Sequence, residues 1–325
     1  MSTVIRKEPG IKDRILCVVG PTASGKTALA VALAKRLDGE IISCDSMQIY
    51  DRLFIGTARP TPEEMDGIPH HLIGFADPRV PFSCRDFADA AVPMIQQIRG
   101  RGKLPIVCGG TGLYLDALLR PIAPGPGSDP AIRRELEEEV ASAGIDKAYS
   151  RLLEVDPASC VQIHPNNTRR VIRALEIYRV TGIPKSVWDE RSRENPDRFP
   201  HCIIGLTFHD RGLLQKRIDL RVDRMMKAGL LEEVSSLLSA GYLPSGSTAS
   251  QAIGYKELIA YLEGKGTLED AVEQIRTATR QYAKRQMTWF RRNPSIHWIF
   301  ADSPSVSDRE DGVLREALSI WNSND

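Results

Sequence analysis

"GPTASGKT", residues 20–27, stands between the apolar run "ILCVV" (15–19) and the helical pattern "ALAVALAKRL" (28–37). The spacing G-x-x-x-x-G-K-[ST], set between a strand and a helix, predicts a phosphate cradle. Glycines let the backbone wrap an anion, amides at the helix N-terminus point at it, and Lys26 adds a full positive charge. Thr27 offers its hydroxyl to a magnesium ion bridging two phosphate oxygens. Gly20, Pro21, Thr22, Ala23, Ser24, Gly25, Lys26 and Thr27 are the candidate diphosphate-binding residues. The motif alone leaves open which phosphate compound it holds.

Outward from this loop, "EIISCD" (40–45), "HHLIGF" (70–75) and "LPIVCGG" (104–110) read as further strands, alternating with helical patterns. Pro93, well inside the helix after Ser83, is expected to kink or divide it. Proline and glycine in "PIAPGPGSDP" (121–130) end the strand pattern, and a helical stretch follows to about Trp188. "CIIGLTF" (202–208) and "IHWIF" (296–300) restore it. The expectation is an α/β fold, a P-loop NTPase-like parallel sheet flanked by helices, with an all-helical insertion: core at 1–122, insertion at 123–200, return at 201–325.

A chain of 325 residues with 42% apolar and 26% charged residues is ordinary globular protein, and a net charge of +1 gives no global pull on nucleic acid. Any such site has to come from local clustering. The six cysteines form no C-x-x-C pair, so zinc is disfavoured and a reduced compartment fits. Cys17, Cys44 and Cys108 read as core filler. No apolar run approaches the ~20 residues of a membrane span, and the N-terminus lacks a secretory pattern; the expected location is the cytoplasm, with no membrane partner.

An ATPase or kinase normally places an acid after an apolar strand to organise magnesium, yet "LPIVC" runs into "GGTG". The acid instead follows the second strand, as Asp45. That carboxylate suits either a kinase's magnesium or a base facing another acceptor.

"GPTASGKT", "DSMQIY", "IGTARPT", "PHHLI", "GGTGLY", "NNTRRVIRALE", "QAIGYKE" and "RQYAKRQMTWFR" resemble, in order and spacing from about Ile15 to Phe300, the tRNA dimethylallyltransferases. The resemblance implies transfer of a dimethylallyl group from dimethylallyl diphosphate to N6 of the adenine adjacent to the anticodon, with diphosphate leaving and no ATP consumed. It implies Asp45 as base, with Thr22 and Arg217 on the leaving group. Ser46, Met47, Gln48 and Thr111 would line the adenine pocket. Arg59 replaces a lysine common in the family and Arg120 a glycine, and the expectation is a bacterial-type member without the zinc-binding C-terminal extension of some eukaryotic relatives. His70 and His71, without further ligands at metal spacing, read as packing or hydrogen-bonding residues.

Between Gln274 and Ala301 no Asp or Glu occurs, while Arg276, Arg280 and Lys284 recur every four residues on one helix face. This stripe suits RNA phosphates. Trp289 and Phe290 read as core. Arg169, Arg170 and Arg173 form a second basic face, with Val171, Leu175 and Tyr178 packing inward. The resemblance sets the stretch Arg169, Arg170, Val171, Ile172, Arg173 against the tRNA anticodon stem-loop, with Arg133 nearby. The rivals are a small-molecule or nucleoside kinase using ATP, which leaves the basic helix unused, and an isopentenyltransferase acting on free adenine nucleotides, which needs no such footprint. A monomer is the default expectation.

Overall fold

All five residues of β1 (Ile15–Val19) are apolar and buried, as a central parallel strand covered on both faces requires. β2 (Gly39–Ser43), β3 (His70–His71), β4 (Leu104–Gly109), β5 (His201–Thr207) and β6 (Ile296–Phe300) join it in the computed structural model, which describes residues 14–121, 127–307 and 311–323. The six strands are parallel, in the order β3-β2-β4-β1-β5-β6. Because every strand points the same way, the loops after β1, β2 and β4 emerge at one carboxyl edge, where ligands of such sheets bind. The expected third strand is the shortest: only His70 and His71 of "HHLIGF" pair with β2, and Leu72 turns out of the ladder at φ +55°.

Pro93 does not divide its helix. Cys84–Gly100 runs through it, started by a capping box between Ser83 and Asp86. Pro93 and Asp89 both lie on the exposed side, so the carbonyl that loses its partner is left facing water.

The chain divides into two units, residues 1–118 with 199–325, and 119–198. The expected boundary at 122–123 lies outside the described residues. The first unit packs helices such as Lys26–Leu37 and Gly312–Ser323 on the sheet over Leu16, Val18, Leu33, Ile106, Ile204 and Trp321. The second is helical, from Pro130–Ala143 to Lys185–Glu194, around its own core of Leu136, Leu152, Val171, Ile172 and Leu175. Among the described residues no helix is long and apolar enough to cross a membrane.

Candidate active site

The loop after β1 is held in a shape that few sequences allow. Ala23 and Gly25 adopt φ +63° and +97°, which turns successive amides toward one side. Gly20 is obligatory: a Cβ there would stand 2.3 Å from the Leu206 carbonyl. Arg217, on the helix Arg211–Lys227, pins the strained Ala23 by donating from Nε to its carbonyl at 2.8 Å. Gln286, from the helix Leu268–Phe290, accepts the Thr22 N–H at 2.8 Å. Ser24 Oγ is buried and has no hydrogen-bond partner among the described residues.

Two cavities flank this loop within the first unit. The smaller, about 320 Å³, is lined by Thr22, Lys26, Thr27, Asp45, Ser46, Met47 and Gln48, and beyond them by Arg221, Met225, Ala252, Tyr282 and Arg285. The larger, about 840 Å³, is lined by Ala23, Gly25, Lys26, Thr27, Ala58, Arg59, Arg217, Arg221 and Arg224. Lys26, Thr27, Ala58, Arg221 and Met225 belong to both. Gly20, Pro21 and Ser24 line neither and shape the loop instead.

Lys26 Nζ donates to the Pro21 carbonyl at 3.3 Å. Burial pulls its ammonium below the ordinary lysine value, with nearby Cys108 and Asp45 acting the other way. A bound anion would relieve that penalty. Burial likewise lowers Arg221, while Asp45 raises it. Thr27 hydroxyl and Asp45 carboxylate present hard oxygen donors to the smaller cavity, the ligand type that magnesium prefers.

Asp45 follows β2, and its Oδ1 accepts the Met47 N–H at 2.9 Å and faces the Gln48 N–H at 3.4 Å, so the carboxylate is fixed by its own loop. Its second oxygen accepts no hydrogen bond from a described residue. Gln48 lines the smaller cavity with its side-chain amide already engaged by the protein. Its Nε2 donates to the Thr57 and Ala58 carbonyls at 3.2 and 3.1 Å, and its Oε1 accepts from Ser43 Oγ at 3.1 Å. Thr111 lines neither cavity. Its hydroxyl accepts the Ser46 N–H at 3.0 Å and clasps the loop after β4 to the loop after β2.

The basic faces are also more engaged than their local sequence suggested. Arg276 pairs with Asp223 at 2.6 Å and Glu273 at 3.0 Å, and Arg280 pairs with Asp219 at 2.8 Å. The acids missing from residues 275–300 are supplied by a facing helix and by the preceding turn. Lys284, Arg169 and Arg170 are exposed and form no ion pair with a described residue. Arg133 and Arg173 both contact the fully buried Glu176, at 3.0 and 2.9 Å. Val171 and Ile172, grouped with the RNA-facing stretch, are core at 0% and 6% exposure: the apolar stripe of their helix turns them inward. Phe290 is buried as expected, and Trp289 donates from Nε1 to Asp116 at 3.0 Å. His71 Nε2 meets Glu40 at 2.6 Å and His70 Nδ1 meets the Ile68 carbonyl at 2.9 Å.

Arg221, Tyr282 and Gln286 were not legible as site residues. Arg221 lies one turn beyond Arg217, and Tyr282 and Gln286 lie four apart inside the basic helix, so helical spacing from known members was the one available signal. Burial and the charge of Asp45 raise the Tyr282 phenol above its ordinary value.

Residues 48–293 match the IPP transferase family, and 13–73 match the isopentenyl transferases. A tRNA dimethylallyltransferase of Geobacter sulfurreducens is 45% identical over 90% of this chain and 93% of its own. The crystal structure of the full-length tRNA isopentenylpyrophosphate transferase from Bacillus halodurans superposes with a TM-score of 0.68 at 43% identity, covering 96% of this chain and 95% of the other. A eukaryotic dimethylallyltransferase captured acting on tRNA gives a TM-score of 0.79 at 32% identity, covering 96% of this chain and 79% of its own. A cradle, a carboxylate and a shared cavity at one sheet edge thus coincide with similarity along nearly the whole sequence, and the chain belongs to the tRNA dimethylallyltransferase (IPP transferase) family.

Proposed function

We propose that this protein transfers the dimethylallyl group of dimethylallyl diphosphate to N6 of the adenosine on the 3′ side of the anticodon in tRNA, releasing diphosphate. Relatives named tRNA dimethylallyltransferase support the transfer. The observation that carries the site-level reading is a single cavity lined at once by Lys26 and Thr27, by Asp45, and by Val222, Met225, Ala252 and Ile253. Anion cradle, base and apolar wall meet there.

In this reading the C–O bond to the diphosphate breaks as the N6–C bond forms. Charge accumulating on the leaving group is met by Lys26, the loop amides and Arg217. Thr27 would hold magnesium, which would supply further neutralisation of the leaving group's charge. Asp45 accepts the proton from the exocyclic amine, whose lone pair is otherwise delocalised into the ring. The apolar wall excludes water that would hydrolyse the allylic donor. Arg169, Arg170 and Lys284 contact phosphates of the anticodon stem-loop, whose splayed-out base enters the cavity. The protein acts as a monomer in the cytoplasm.

The test is incubation with unmodified tRNA, dimethylallyl diphosphate and magnesium, followed by mass analysis of the digested RNA; a parallel reaction carries ATP. A dimethylallyl mass gain on one adenosine supports the reading. Phosphate transfer from ATP, or modification of free adenine nucleotides in preference to tRNA, overturns it.

A further inference from the structure

Glu233 lines neither cavity, yet its carboxylate is saturated with donors from a loop that lines both. Oε2 accepts the N–H groups of Phe54 and Ile55 at 3.1 and 2.9 Å. Oε1 accepts the Gly56 N–H at 3.2 Å and the Tyr255 hydroxyl at 2.6 Å. Three consecutive backbone amides converging on one carboxylate form an anion nest whose anion belongs to the protein itself. Tyr255 closes the arrangement from the other side: a Cβ on Gly56 would stand 2.4 Å from its ring.

Downstream in the same loop, Ala58 is held at φ +44° and belongs to the wall of both cavities. Gln48 grips the Thr57 and Ala58 carbonyls from the side of the Asp45 loop. The segment 54–58 is thus fastened by its amides to Glu233 and by its carbonyls to Gln48. Strained backbone of this kind persists only where its surroundings over-determine it.

Resting on the prenyl-transfer reading, we propose that Glu233 is a positioning residue: its carboxylate fixes the loop 54–58 as the partition between the two cavities, and so aligns donor and acceptor without touching either. Tyr255 orients that carboxylate. Glycine at 56 is required by the fit against Tyr255. The side chain sits in the first turn of the helix Leu230–Ser239, where the helix dipole favours its charge.

The experiment compares wild type, Glu233→Ala, Glu233→Gln and Tyr255→Phe by hydrogen exchange, thermal melting, and kcat and KM for each substrate. In Glu233→Ala the amides of Phe54, Ile55 and Gly56 are expected to exchange at least about tenfold faster, with protection in the sheet unchanged. kcat/KM is expected to fall about a hundredfold, the scale of a small misplacement at a reacting centre. Glu233→Gln, which keeps one acceptor, should recover part of both effects. Unchanged exchange at residues 54–56 overturns the proposal, as does an activity loss equal in the Gln and Ala variants that merely follows their melting temperatures. If Glu233→Ala does not fold, the Gln and Phe variants carry the comparison. Wild-type protein that fails to prenylate tRNA would refute the parent reading, while the exchange data would still decide whether Glu233 holds the loop.

Discussion

Gln286 joins two loops that the sequence sets far apart. Its Oε1 accepts the Thr22 N–H at 2.8 Å, and its Nε2 donates to the Gly110 carbonyl at 2.9 Å. One buried amide thereby spans the phosphate loop after β1 and the glycine turn after β4, with orientation fixed because one end accepts and the other donates. No room remains for slack, since a Cβ on Gly110 would approach Gln286 Nε2 to 2.1 Å.

Gln286→Glu should therefore be worse than its size suggests. The carboxylate can still accept from Thr22, but it faces the Gly110 carbonyl with a second acceptor. Expected is a loss in kcat/KM of about 10- to 100-fold through a displaced phosphate loop. Steady-state kinetics at several donor concentrations would reveal it, and unchanged kinetics would show that the clip is dispensable.

Asp45→Asn preserves the acceptor for the Met47 N–H and removes the base. The single-turnover rate of prenyl transfer should drop by about 10² to 10⁴, while tRNA affinity changes less than about threefold. Equal loss of rate and affinity would reassign Asp45 to RNA holding.

Arg280 offers a sharper test of the basic helix because its carboxylate partners, Asp219 and Glu273, are known. If the stripe meets RNA phosphates, Arg280→Ala weakens binding and reduces the salt slope by about 1, whereas Asp219→Asn, which leaves the guanidinium paired with Glu273 at 3.5 Å alone, tightens binding. Filter binding across a salt series measures both. Weakening by both substitutions would mark the ion pair as structural only.

Glu176 governs the helical unit. Burial raises its carboxyl, but hydrogen bonds from Arg173 and Ser128, the charge of Arg173 and the Asp129 amide outweigh that and hold it below its ordinary 4.5. A group depressed in the folded state adds stability that is present above the unfolded value and lost as pH falls through the folded one. Glu176→Gln should cost about 2 to 3 kcal/mol at pH 7, less than a fully enclosed pair because both arginines remain partly exposed. Melting curves of the two proteins should converge as the pH drops below 4.5.

Thr27→Ala should raise the magnesium concentration needed for half-maximal rate, and chelation should abolish transfer while leaving the fold intact. A variant with an unchanged magnesium requirement would remove Thr27 from the metal site.

The fold was legible where the information is local. Each of the six strand-like runs supplied a strand, most plainly β1, whose five residues are apolar and buried, while the edge strand β3 kept only His70 and His71, and "GPTASGKT" announced its loop through spacing alone. Of the two outcomes expected at Pro93, a kink or a division, division does not occur, because the position lies on the exposed side of one continuous helix. What only tertiary structure decided are the relations between distant elements. Asp219 and Asp223 neutralise Arg280 and Arg276 across two packed helices, Glu176 draws Arg133 and Arg173 inward, and Glu233, Gln48 and Gln286 hold loops from segments that periodicity keeps apart. A hydrogen bond depends on ångström distances in the folded chain, and residue spacing along a helix or strand carries no record of which surface will be packed against it.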